Sequence, residues 1–160
     1  MSSSQCPCGQ GQYASCCQPL HEQKQFAQDA AQLMRSRYSA FALQQIDYLM
    51  NTTAVGQHPF LDRVAIADWS KSNQWLKLEV IQHQPKLDKT HALVEFKAHY
   101  HDGTQAQIHH EISHFVLHQQ RWYFLDPTLE MTITMKQPCI CGSGKKFKQC
   151  CAPTSKFVLK

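Results

Sequence analysis

From residue 18 to residue 138 the chain has no cysteine, although the 160-residue sequence holds eight. A core that used cysteine as a small apolar side chain would scatter it, so the gap excludes that role. Acidic residues are missing at the other end of the scale. None follows Glu130, whereas six lysines do: Lys136, Lys145, Lys146, Lys148, Lys156 and Lys160. The net charge of +4 is therefore local, because residues 1–130 hold all twelve acids. Six lysines are too few to imply nucleic acid. They either keep a metal site soluble or meet an anionic lipid or an acidic partner. No apolar run approaches the ~20 residues of a membrane-spanning helix. No basic stretch followed by an apolar segment opens the sequence, so no export signal is read. The expected setting is the reducing cytoplasm, where stable disulfides are rare.

What is present sits at the ends. PCICGSGKKFKQCC occupies 138–151 and CPCGQGQYASCC occupies 6–17. All eight cysteines fall there: Cys6, Cys8, Cys16 and Cys17, then Cys139, Cys141, Cys150 and Cys151. Two groups of four fit two tetrahedral thiolate sites. Paired cysteines separated by one residue can face one ion if the chain turns at once, and Gly9 and Gly142 stand where that turn falls. The Cys-Cys pair then closes the tetrahedron. Lys145, Lys146 and Lys148 lie in the second loop and offset the −2 formal charge of four thiolates on a divalent ion; the first loop has no lysine. Zinc is the default, at one or two ions per chain, and iron accepts the same ligands. The alternatives fit less well. A bridge between adjacent cysteines is strained, no βαβ pattern accompanies a redox pair, and GSGK at 142–145 lacks the glycine and hydroxyl that a phosphate loop needs.

CICGSGKKFKQCC closely resembles the SEC-C motif, a small metal-binding element named for the tail of the SecA translocation ATPase, with Ile140 where proline is usual. CPCGQGQYASCC resembles a second copy with seven loop residues instead of eight. LMRSRYSAF at 33–41, DYL at 47–49, WLKLEV at 75–80, EISHF at 111–115 and RWYFLD at 121–126 occur in the order of the YchJ family. That resemblance implies a SEC-C motif at each end of an NTF2-like, cystatin-like domain, with a bound metal and no defined reaction. The implied division is a knuckle at 1–24, a domain at 25–134, and a knuckle with a basic tail at 135–160.

The middle, read from its residues, agrees with an α+β fold in which a curved antiparallel sheet packs on a long helix. Ala30, Leu33, Met34, Tyr38, Phe41, Ala42, Ile46 and Leu49 recur at helical spacing, which predicts one helix from Asp29 to Met50 with Asp29 as its cap. A weaker helix is expected over 62–74. Leu76, Leu78 and Val80 then begin an alternating pattern. A three-residue turn at Asp102-Gly103-Thr104 predicts Tyr100 opposite Ala106, Phe96 opposite His110 and Val94 opposite Ile112. That register turns His110 and His114 toward the helix and leaves Phe115, Leu117, Trp122 and Phe124 on the outer face. So apolar a face needs a cover from a homodimer partner or the knuckles, or it is the second side of an ordinary buried sheet. If the termini lie close together, the two knuckles pack on each other.

Two functional classes follow. The favoured one is a non-enzymatic adaptor whose knuckles bind a protein partner through Lys145, Lys146 and Lys148. Related motifs imply an export chaperone or a ribosome-associated partner. The other is a small-molecule binder or enzyme using a pocket in the middle domain, with Tyr38, His110 and His114 as lining candidates and Asp47, Glu111 and Asp126 as further acid–base groups. His21 lies four residues after Cys17 but is not needed where four cysteines complete the site. Arg37 or Arg35 is expected to turn inward toward a carboxylate such as Glu111.

Overall fold

The computed structural model describes residues 4–129 and 131–154. Glu130, Lys156 and Lys160 lie outside the described residues. After a short helix α1 (Gln18–His21), the Asp29 carboxylate accepts the Gln32 N–H at 2.8 Å and starts α2 (Ala30–Leu43). Leu33, Met34, Tyr38 and Ala40 are buried along it. Asp29→Ala is expected to lower stability by about 1 kcal/mol in a urea titration, and Asp29→Asn to leave it nearly unchanged.

The single helix expected from Asp29 to Met50 is broken. Gln44 adopts a left-handed conformation (φ 58°), and the Gln45 N–H returns to the Ala40 carbonyl at 2.8 Å. The chain restarts as α3 (Ile46–Asn51) and folds back on α2, where the Tyr48 hydroxyl lies 2.6 Å from Ser36 Oγ. A 3-10 segment (Val55–Phe60) leads to α4 (Arg63–Ser72), the weaker helix, capped by Asp62.

Four antiparallel strands follow in the order β1 (Gln74–Gln84), β2 (His91–His101), β3 (Ala106–His118) and β4 (Arg121–Leu125). The helices cover one face, through Ala92, Val94, Phe96, Ala98 and Phe115. Two details correct the sequence reading. A bulge between Trp75 and Lys77 pushes Leu76 outward, where it is 50% exposed, while Leu78 and Val80 stay on the core side. At the β2–β3 turn, His101 pairs with Ala106, so Phe96 faces Glu111 and Val94 faces Ser113. The loop has four residues, not three, because the Asp102 carboxylate accepts the N–H groups of both Thr104 and Gln105. A one-residue slip exchanges the faces of a strand. His110 and His114 therefore lie on the outer face, and Phe115, Trp122 and Phe124 pack on the helix side.

The outer face is still apolar near β4, and the chain covers it itself. Val116, Leu125 and Tyr123 pack with Ile133, Ile140 and Phe147 of the C-terminal segment. The N-terminal cysteines form a separate group beside Leu78 of β1, so the two ends do not share a core.

Candidate metal centres

The two cysteine segments fold alike. In the first, Cys6 N–H bonds the Gly11 carbonyl (2.7 Å), Gly9 N–H bonds Cys6 (2.9 Å), and Cys16 N–H bonds Tyr13 (3.1 Å). In the second, Cys139 bonds Lys145 (2.8 Å), Gly142 bonds Cys139 (3.1 Å), and Cys150 bonds Phe147 (3.1 Å). Each has a one-pair bridge, Gln5 with Gln12 and Pro138 with Lys146, and each places a 3-10 turn before its Cys-Cys pair. The missing loop residue is absorbed between Gly9 and Gly11, both with positive φ (85° and 145°), so the shorter loop delivers its sulfurs as the longer one does.

In each cluster the four sulfurs lie within 4.8 Å of one another. Cys8 lies 3.6 Å from Cys6, 3.5 Å from Cys16 and 3.8 Å from Cys17. Cys150 lies 3.5 Å from Cys141 and 4.0 Å from Cys151. A zinc–sulfur bond of about 2.3 Å in a tetrahedron requires sulfur pairs about 3.8 Å apart. All of these cysteines are buried except Cys16, which is partly exposed. Both clusters could therefore hold a metal ion. Without a cation, the thiols divide charge unevenly. A hydrogen bond from Cys17 pulls Cys8 down to about 5, while burial and the neighbouring Cys8 push Cys16 up to about 12. In the second cluster the contact with Cys139 lowers Cys141 and raises Cys139 to about 12. A central divalent ion would stabilise all four as thiolates.

The centres are anchored differently. Ser39 of α2 places its Oγ 3.4 Å from Cys6 Sγ. His21 is already engaged, with Nε2–H donating to the Ser36 carbonyl (2.8 Å) and Nδ1 accepting the Tyr13 hydroxyl (2.7 Å), so it adds no ligand. The second centre rests on the 3-10 segment, where Gly56 N–H bonds the Ile140 carbonyl at 2.7 Å and the buried Gln57 amide bonds both backbone groups of Asp126. Its Cys151 also meets His91 at 3.3 Å. Lys145, Lys146 and Lys148 are exposed on this knuckle.

Between helices and sheet lies a cavity of about 370 Å³. Tyr38 and Glu111 line it, together with His109, which sequence reading missed. His110 instead pairs outside with Glu95 at 2.7 Å, and Asp47 forms an exposed ion pair with Arg63. Arg37 does turn inward, but it donates to the Leu49 carbonyl (2.8 Å) and Thr52 Oγ1 (2.7 Å) and lies over the Phe124 ring. Its guanidinium is lowered to about 10 by burial. Burial opposes ionisation of Glu111, yet hydrogen bonds from His109 and Ser113 hold it below the usual carboxylate range. The same contact raises His109. Burial pushes Tyr38 up to about 12, and its hydroxyl makes no hydrogen bond among the described residues. The signal for His109 and Glu111 was the turn length, since either register offers a plausible alternation.

Comparison with known proteins agrees with this architecture. The profile described as "YchJ, middle NTF2-like domain" matches residues 29–127, and the SEC-C motif matches residues 135–153. The chain belongs to the YchJ family. A YchJ-type relative from Actinobacillus succinogenes, named UPF0225 protein, is 48% identical over 147 residues, covering 91% of this chain and 95% of its own. One from Haemophilus influenzae strain PittEE is 46% identical over 150 residues, with 93% and 92% covered. The crystal structure of a SEC-C motif-containing protein from Psychrobacter arcticus superimposes with a TM-score of 0.87 at 44% identity, covering 95% of this chain and 97% of that one. The solution structure of another, from Rhodopseudomonas palustris, gives 0.71 at 34% identity, with 77% and 96% covered. No helix of this YchJ-family chain, among the described residues, is long and apolar enough to cross a membrane.

Proposed function

We propose that the protein is a cytoplasmic zinc-dependent adaptor: each four-cysteine cluster holds one Zn²⁺, and the C-terminal knuckle presents Lys145, Lys146 and Lys148 to an acidic protein surface. The observation that carries this is the pair of four-sulfur clusters, each gathered within 4.8 Å by the same turn. The ion supplies folding energy to segments too small to fold alone. The middle domain acts as the scaffold that displays them. Capture from a cell extract tests it. Partner binding is expected to weaken as salt rises, to vanish on chelation, and to fall about tenfold or more when the three lysines become glutamate. Partners retained through all three treatments would overturn the adaptor reading.

The cavity favours a second reading, a small-molecule site. Its volume falls in the range of ligand pockets, and Tyr38, Arg37 and Glu111 bring polar atoms to a wall that includes Trp69, Trp75 and Phe96. Benzamidine and benzoate are suitable probes of opposite charge. Binding of either would shift tryptophan emission saturably, with the sign of the preferred probe reporting whether Glu111 or Arg37 dominates. Unchanged emission with both would count against this site.

A further inference from the structure

We propose that His91, held by Asp88, is the middle domain's own contribution to the C-terminal metal centre: its Nε2–H donates to the Cys151 sulfur and fixes that ligand in place. The proposal rests on the reading that the cluster holds a metal. His91 opens β2 and is 2% exposed. Its Nδ1 lies 2.8 Å from Asp88 Oδ1 and its Nε2 lies 3.3 Å from Cys151 Sγ, sixty residues away in sequence. The holder is itself built. Asp88 also accepts the Thr90 N–H at 2.8 Å, Leu87 N–H bonds the His91 carbonyl at 2.8 Å, and Leu117 N–H bonds the Thr90 carbonyl at 2.7 Å. The turn between β1 and β2 thus leaves the imidazole one orientation.

A metal-bound thiolate carries no proton, so the ring nitrogen that faces Cys151 is the side from which a donor can reach the sulfur, while the opposite nitrogen rests against the Asp88 carboxylate. Histidine between carboxylate and metal ligand is the way outer groups orient a site, and losing such a partner typically costs about 10–100-fold in metal affinity. Here the ring is not a ligand; it drains charge from one thiolate and holds the sulfur against the sheet. Cys151 is fully buried beneath it. At the N-terminal centre, among the described residues, the middle-domain side chain that reaches a sulfur is Ser39 of α2, with its Oγ 3.4 Å from Cys6 Sγ. His91 therefore ties metal retention in the C-terminal knuckle to the start of β2.

The test uses the full chain loaded with two Zn²⁺ and follows release to a chromogenic chelator. His91→Phe keeps a ring but no donor; one ion is expected to leave about 10–100-fold faster and the other at the wild-type rate. His91→Gln restores an N–H near the Nε2 position and should recover part of the loss. Asp88→Asn, in an exposed turn, should move the same phase less and serves if His91→Phe does not fold. In the Co²⁺-substituted protein the thiolate-to-metal absorption of one centre should shift in His91→Phe. Unaltered release with an unshifted cobalt spectrum would overturn the proposal alone, as would equal acceleration of both ions. A wild-type chain that takes up no zinc would overturn the metal reading and this proposal with it.

Discussion

Cys141→Ser should remove one metal ion and loosen the sheet as well as the last knuckle. Cys141 belongs to the same buried group as Ala54, Val116, Leu125 and Phe147. Binding of a structural zinc supplies about 10 kcal/mol or more in small knuckles, against a net stability of about 5–15 kcal/mol for a whole domain. Removing it leaves Phe147 and Ile140 to be held over β3 and β4 by apolar packing and the Gly56–Ile140 bond without the ion. Hydrogen exchange is the direct readout. Amides of Val116 and Leu125 should lose protection in the variant, and chelation of the wild type should do the same. The α2 side has its own core, with Leu33, Tyr38 and Phe96, and should keep more of its protection. Unaltered exchange in β3 and β4 would mean that the knuckle is an appendage.

Gly56→Ala should cost about 3 kcal/mol, a large effect for one methyl group. A Cβ there would lie 2.4 Å from the Ile140 carbonyl oxygen, 2.8 Å from its Cα and 2.9 Å from its carbonyl carbon. All three are backbone atoms, so no side chain can swing aside. The knuckle must back away, and the 2.7 Å bond from Gly56 N–H to that carbonyl goes with it. Overpacking of about 1–3 kcal/mol adds to a buried acceptor left unpaired, about 1–3 kcal/mol. Gly144→Ala is the control. Nothing lies within 4 Å of its Cβ, and only its φ of +85° opposes the change. Its penalty should be about 1–2 kcal/mol. Urea midpoints of the two variants, compared with wild type, decide between contact and conformation; equal midpoints would remove the contact argument.

Much of this architecture was legible because it is local. Cysteines one residue apart and followed by glycine specify a turn that gathers their sulfurs, and the lysines between Gly144 and Gln149 are exposed. Asp29 caps its helix, and Gln119-Gln120 makes the last hairpin turn, both with positive φ. What was misread depends on choices that neighbours make. Gln44 in a left-handed conformation is not announced by its type, since glycine is the usual residue there. The β2–β3 register turned on whether Asp102 would span one more residue with its carboxylate. Apolar pattern favoured the wrong answer, because Ile108 is 58% exposed while Glu111 and Ser113 line a cavity. A polar wall inside a domain looks, in sequence, like a wet one. His91 was invisible for another reason: its partner is sixty residues away, and only the fold brings them together.

The central claim is that both clusters hold a metal. Metal content per chain, measured on protein purified without oxygen, tests it most directly. Two zinc ions per chain, falling to one in Cys150→Ser and to one in Cys8→Ser, is the predicted result. Metal-free protein with its eight thiols free or paired as disulfides would contradict it.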